Sequence, residues 1–250
     1  MAETHIVSYS ELDCFRQCPL KHALAYKMRY TKTKALDSAL GKGSLWHQVM
    51  EMHYRALMVA QQRSATNRID NPKEFLIELR KEIIITLVTE DTGEFLSDVH
   101  ELILWMYDGH VAAYGVDPDW IIVAVEHQIV TPLRDVGGRQ SRFHLKAKID
   151  LIVRNRRDGT LWVVDHKSGA NLPNDMELAI DDQFGLYTWA MREVGRPVVG
   201  SIHSAARTTR NMADYPTYVG KSKPQTLEQR YKRSYLNRPD TEVKNLALDA

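Results

Sequence analysis

The chain has 250 residues, 44% of them hydrophobic and 26% charged, which is enough to bury one sizeable core. This is the composition of a soluble globular protein and excludes disordered, fibrous and membrane-embedded classes. The net charge of +1 excludes nothing about a polyanionic partner, because the distribution of charge matters more than its sum.

The N-terminus lacks a basic stretch followed by an apolar core, so no secretory leader is expected. The apolar runs are too short to span a bilayer. The 2 cysteines, Cys14 and Cys18, give no disulfide framework. A cytoplasmic protein with no membrane partner follows.

In chain order, Ser8-Tyr9-Ser10-Glu11 has the form of a capping box and predicts a short helix carrying Leu12 and Phe15, disturbed at Pro19. Helix resumes over Leu20–Tyr30, and Lys32–Leu40 reads as a linker. Gly41–Arg63 is a long helical pattern, with Leu45, Trp46, Val49, Met50, Leu57 and Met58 recurring at helical spacing. Asn71-Pro72 caps a helix running to about Thr89. Glu94–Tyr114 is another helix, with Gly115 as its terminator.

The character then changes. Trp120–Thr131 is β-branched and reads as a strand, and Gly137-Gly138 marks a turn. Phe143–Val153 and Thr160–His166 form two further strands around the hairpin signal Asp158-Gly159. Met176–Val194 is helical, closed by Gly195 and Pro197, and Val198–Ala205 is a strand. Beyond Arg207 the expectation is loops plus a short helix. Helices, a three-strand meander, then helix and strand give an α/β class with a mixed central sheet and a helical N-terminal region.

The hairpin carries the chemistry-bearing residues. Asp150 and Asp165 each sit in an apolar strand, where an isolated charge is costly. Two converging carboxylates repel unless one is protonated or both hold a divalent cation, and hard cations favour oxygen donors. Strand alternation puts Asp165 and Lys167 on one face and His166 on the other. The plain alternative is a salt bridge at a strand end. His47 and Glu51 share a helical face, as do Gln183 and Tyr187, and such pairs are also ordinary packing. The stretch Arg196–Arg238 holds Arg207, Arg210, Lys221, Lys223, Arg230, Lys232 and Arg233 against only Asp214 and Glu228. It reads either as a polyanion-facing surface or as a solvated tail.

Six groups of residues follow one another along the chain: Ser10-x-Leu12-x-x-Phe15-x-x-Cys18-Pro19, Gly43-x-x-x-His47-x-x-x-Glu51, Glu126 in a strand, Asp150 in Ala-Lys-Ile-Asp, Asp165-x-Lys167, and Gln183-x-x-x-Tyr187. In this order they resemble the RecB-like branch of the PD-(D/E)XK nuclease superfamily, which includes CRISPR-associated exonucleases and phage relatives. The resemblance implies a restriction-endonuclease-like core over residues 1–250. Residues 1–115 would be the helical part with the motif histidine, 116–206 the catalytic sheet and helix, and 207–250 a basic C-terminal segment. The stretch 242–250 looks helical to its last residue, which leaves open whether Ala250 is the natural end.

By the same resemblance, His47, Asp150, Asp165 and the backbone carbonyl of His166 are metal ligands for Mg²⁺ or Mn²⁺. Lys167 is the catalytic lysine, and Gln183 and Tyr187 orient the site. Glu51 and Glu126 are candidates to support the ligands, and Lys148, Arg207 and Arg210 to contact DNA. The implied activity is hydrolysis of DNA at ends or in single strands, in recombination, repair or phage DNA processing. The alternative is a non-catalytic DNA-binding accessory protein on the same fold. Many relatives bind an iron–sulfur cluster through four cysteines, but here only Cys18 matches, so no cluster is expected. Both thiols are then expected to behave as small buried hydrophobes. No phosphate-binding Gly-x-x-x-x-Gly-Lys loop occurs, so any unwinding must come from a helicase or recombination partner.

Overall fold

The computed structural model describes residues 4–30, 37–90, 97–135, 137–241 and 244–245. Most of the linker expected at Lys32–Leu40, the start of the helix expected at Glu94 and most of the stretch 242–250 lie outside them. Ala39 and Leu40, expected in that linker, already belong to the long helix that follows, because Ser38 caps it.

The chain opens with a strand, β1 (His5–Ser8), and Ser8 then caps α1 (Tyr9–Gln17) by accepting the N–H of Glu11 at 3.2 Å. Cys18 ends α1 and begins α2 (Pro19–His22), its thiol accepting the N–H of Lys21. Cys14 is buried, as expected, whereas Cys18 is half-buried and works as a cap. A π-helical turn follows over Ala23–Lys27. Three longer helices come next: α3 (Ala39–Arg63), α4 (Pro72–Glu90) and α5 (Asp98–Tyr114). Ser38 caps α3 by accepting the N–H of Gly41, and Ser97 caps α5. Gly115, at φ 58°, ends α5 in the left-handed region that favours glycine.

The meander is β2 (Trp120–Arg134), β3 (Gln140–Asn155) and β4 (Leu161–Gly169), antiparallel throughout. A crossover through α6 (Asp175–Ala179) and α7 (Asp182–Glu193) leads to β5 (Val198–Arg207), parallel to β4. The single helix expected from Met176 is thus two, because Asp181 stops the first and caps the second by accepting the N–H of Gln183. A short helix, α8 (Leu227–Arg230), feeds β6 (Tyr231–Leu236), antiparallel to β5. The sheet order is β1-β3-β4-β5-β6, with β2 on the other edge of β3.

Neither β1 nor β6 was expected from the residue pattern. Both are short and pair with residues far away in sequence, β1 with Phe143–Lys146 and β6 with Ser201–Ala206. Periodicity over 4 or 6 residues carries little signal against such remote pairing.

Helices cover both faces of this mixed sheet. On one face Trp46, Val49, Met50, Leu57, Ile83 and Ile103 of α3–α5 pack on Leu151, Val153, Val164 and Ile202. On the other, Leu186, Trp189, Ala190 and Met191 of α7 pack on Ile129, Leu145, Ala147, Ile149 and Val163. Odd-numbered β3 residues therefore face α7 up to Ile149 and the α3 side from Leu151 onward. In β2, likewise, Ile129 and Leu133 belong to the α7 cluster and Val125 to the α3 cluster. In both strands the alternation reverses where Glu126 of β2 adopts φ 51° beside Asp150 of β3, and β2 has further irregularities at Ile122/Ala124 and Pro132/Arg134.

Candidate active site

The β3–β4 hairpin brings the two acids together. Its turn is fixed by Asp158, which accepts the N–H of Thr160 at 2.9 Å and its hydroxyl at 2.6 Å, and by Gly159 at φ 73°. That register pairs Arg154 with Leu161 and runs to Leu151 opposite Val164, where the ladder stops. The next rung is Asp150 and Asp165. Further back, β3 pairs on the same edge with β1 over Phe143–Lys146. Asp150 thus lies in the gap between two ladders, where a side chain can replace a backbone partner. Its Oδ2 accepts the N–H of His166 at 2.8 Å.

His47, from α3, places Nδ1 3.2 Å from the same Asp150 oxygen. Burial opposes charge on both groups. The imidazole is nevertheless held above its ordinary pKa by the hydrogen bond and charge of Asp150, and the carboxyl of Asp150 is held below its own by His47 and His166. Asp165 moves the other way. Buried, and repelled by Asp150, it is pushed up to about 6 despite the opposing charge of Lys167. Of the two acids, Asp150 keeps its charge more readily.

Lys167 holds Nζ 3.0 Å from Asp165 Oδ2, on the shared face that strand alternation predicts, and donates to Gln183 Oε1 at 3.1 Å. Burial works against its charge, but Asp165 raises its pKa on balance. Gln183, in the first turn of α7, turns its amide N–H groups to Asp165 Oδ1 at 3.3 Å and to Tyr187 Oη at 3.0 Å. The i, i+4 pair of α7 therefore grips the Asp165–Lys167 end of β4. His166 faces away from this pair and stacks on Tyr54 of α3, with ring centroids 5.1 Å apart and planes at 19°. Burial keeps its ring neutral, with a pKa lowered to about 3.

Glu126 stands nearer to this centre than Glu51. Its carboxylate is buried, pairs with Lys148, and has an oxygen within 4.8 Å of ligand atoms of both His47 and Asp150. Its backbone conformation costs about 1–2 kcal/mol for a non-glycine residue. Glu51 points instead to Arg55, at 2.7 Å one turn further along α3.

The basic residues beyond β5 are largely used to tie the fold together. Arg207 donates to the carbonyl of Ala170 at 3.0 Å. Arg210 donates to that of Glu101 at 2.7 Å and lies over the Trp105 ring. Arg230 lies over the same ring, and Arg233 is buried against Asp117. Of the candidate DNA contacts, Lys148 is the most exposed in its side chain, although it pairs with Glu126.

The donor set fits a hard divalent cation: His47, Glu126 and Asp150 hold ligand atoms within 4.8 Å of one another, and Asp165, outside that group, adds a buried carboxylate whose pKa is raised. A second group of ligand-type side chains, His53, His110 and Asp117, lies buried behind α3. There Asp117 is already satisfied by Arg233 and by the Tyr54 hydroxyl at 2.8 Å, so a guanidinium stands where a cation would. Tyr54 had no place among the expected site residues. Its position seven after His47 puts it two turns along the same helical face, which is the signal that could have found it.

The family model of the PD-(D/E)XK nuclease superfamily matches residues 6–247. The chain belongs to this superfamily. Its members are nucleases that use divalent metals and act on DNA. The mixed sheet flanked by helices is the restriction-endonuclease-like core of the superfamily. No curated protein matches the chain. Among solved structures it is similar to one titled "Crystal structure of SSO0001", at 16% identity over 82% of each chain with a TM-score of 0.34, a likeness too weak to add to the fold assignment. No helix among the described residues is long and apolar enough to cross a membrane.

Proposed function

We propose that this superfamily member is a Mg²⁺- or Mn²⁺-dependent deoxyribonuclease of the RecB-like branch, an exonuclease working on DNA ends or single strands in recombination, repair or phage DNA processing. The observation that carries it is the rung formed by Asp150 and Asp165, with Lys167 fixed beside it by Gln183. His47, Asp150, Asp165 and the His166 carbonyl would hold the ion. Bound there, a divalent cation supplies Lewis-acid neutralisation of charge at a phosphodiester.

The chain's own residues do the rest. Lys167 orients the attacking water from the Asp165 face and offsets charge developing on the phosphate. Gln183 and Tyr187 keep the lysine and Asp165 in register with each other. Lys148, at the rim, is the first cation a strand would meet, and Arg207 and Arg210 lie further along as weaker candidates. Strand separation would come from a helicase or recombination partner.

The test is digestion of 5′-end-labelled single strands and tailed duplexes with Mg²⁺, Mn²⁺ or EDTA. Stepwise shortening that stops in EDTA, and is lost in both Asp165→Ala and Lys167→Ala while circular dichroism shows each variant folded, is the expected result. DNA left intact by the wild-type protein with either metal overturns the reading.

A further inference from the structure

The segment leading from α1 to Tyr30 has a character the active site does not explain. From Cys14 to Tyr30 it contains no Asp or Glu, yet it carries Arg16, Lys21, Lys27 and Arg29. Among the described residues, Lys21, Lys27 and Arg29 make no ion pair. Large apolar and aromatic side chains stand in water between these cations: Phe15 is 53% exposed, Tyr26 37%, and Tyr30 69%. A segment that only packed on the sheet would bury such groups.

The rings are also ordered. Phe15 meets His22 edge-on at 5.3 Å, and His22 stacks on Tyr26 at 5.4 Å with planes at 22°. Between this arm and the start of β3 lies a cavity of about 330 Å³, walled by Leu12, Phe15 and Phe143 with Lys27 at its edge. The arm adjoins the catalytic end of α7, since Arg16 reaches Asp182 at 3.4 Å, the residue before Gln183.

Exposed rings alternating with unpaired cations suit one kind of ligand, a flexible polyanion that offers flat apolar faces. We propose that residues 15–30 form an arm that binds single-stranded DNA, with Phe15, Tyr26 and Tyr30 stacking on bases and Lys21, Lys27 and Arg29 meeting phosphates. Duplex DNA hides its base faces and gains only from the cations. This extends the nuclease reading by giving the strand a path to the site, but the arm's affinity does not depend on cleavage.

The experiment is fluorescence anisotropy of a labelled 20-nucleotide single strand in EDTA, using the full chain. Its comparisons are a blunt duplex and an oligomer with abasic sites. The variants are Tyr26→Ala/Tyr30→Ala and Lys27→Glu/Arg29→Glu, with Lys81→Glu on α4 as a charge control and circular dichroism as the check on folding. The aromatic pair is expected to weaken single-strand binding roughly tenfold or more, with a smaller effect on duplex. The charge pair should flatten the salt dependence, and Lys81→Glu should leave binding as in the wild type. A 2-aminopurine base in the strand should be quenched by the wild type and not by the aromatic variant. Loss of binding in the arm variants supports the proposal even if the wild type cleaves nothing. Equal binding by wild type and the aromatic variant, or equal binding of abasic and intact strands, overturns it even where Mn²⁺-dependent cleavage is intact.

Discussion

The Asp150 carboxylate accepts the backbone N–H of His166 at 2.8 Å, one rung past the last pair of the β3–β4 ladder, while Asp165 on the same rung gains no backbone donor. Equivalent residues thus become unequal acids. Asp150 is held ionised below the usual carboxylate range, and burial pushes Asp165 up to about 6. A rung of this kind stores electrostatic cost in the fold, to be relieved by a cation.

The first prediction follows from that cost. A carboxyl whose pKa is raised on folding contributes stability that is complete below its unfolded value of 3.8 and is lost as pH rises through about 6. Replacing it by a neutral isostere removes the loss. In EDTA at pH 7, Asp165→Asn should therefore be more stable than the wild type, by on the order of 2 kcal/mol, and no more stable below pH 4. Denaturation of both proteins at pH 4 and pH 7 measures this, and the same variant should show no metal-dependent cleavage. A lower denaturation midpoint for the variant at pH 7 would mean that the Lys167 contact outweighs the repulsion.

Gln183 offers a different test, because it touches both Lys167 and Asp165 without being a ligand candidate. Gln183→Ala should lower kcat about 100-fold through misplacement of the lysine, leave KM for a short DNA substrate within a few-fold, and leave Tm unchanged. Gln183→Glu should recover part of the rate, since a carboxylate oxygen still accepts from Lys167. A change confined to KM would place Gln183 on the substrate rather than behind the lysine.

These residues also show what the amino-acid sequence reveals. The hairpin was legible because Asp158-Gly159 has few other uses and because Leu161–Val164 is an unbroken apolar run. The reversal of sides at Glu126 and Asp150 was not, because Ile149, Leu151, Ile152 and Val153 are all apolar and hide the change of phase. Glu126 could be placed in a strand, but its left-handed backbone depends on tertiary contacts that leave no local mark. The C-terminal cations looked like a free basic surface for a related reason. Composition reports Arg210, Arg230 and Arg233 as charges, and only the structure shows the carbonyls, rings and carboxylate that engage them.

The pair Asp117–Arg233 links the loop after α5 to the last strand. Arg233 also lies 3.6 Å from the Tyr114 ring centroid and donates to the Tyr54 hydroxyl at 3.0 Å. Both side chains of the ion pair are buried, so removing one leaves the other charged and unpartnered. Arg233→Met should cost about 3–5 kcal/mol. The double variant Asp117→Asn/Arg233→Met should cost less than the single one. Urea titrations of the three proteins decide this, and a double variant worse than the single would show that the rings, not the charges, hold β6.

The last prediction concerns acid. His53 is fully buried between α3 and α5, with Nδ1 3.1 Å from the Tyr107 hydroxyl, and burial lowers its pKa to about 4. A histidine that stays neutral in the fold but takes a proton near pH 6.5 when unfolded makes stability fall as pH drops from about 6.5 toward 4. Between pH 7 and pH 5 this amounts to about 2 kcal/mol for His53. Buried His203, with its pKa also lowered to about 4, acts in the same direction. His53→Gln keeps a hydrogen-bonding group near Tyr107 and does not titrate. Its urea midpoint should be lower than that of the wild type at pH 7, and the gap should narrow at pH 5 as the wild type loses stability faster. Parallel loss in both proteins across this range would show that His53 is protonated in the native state, and that the buried polar group between α3 and α5 admits a charge.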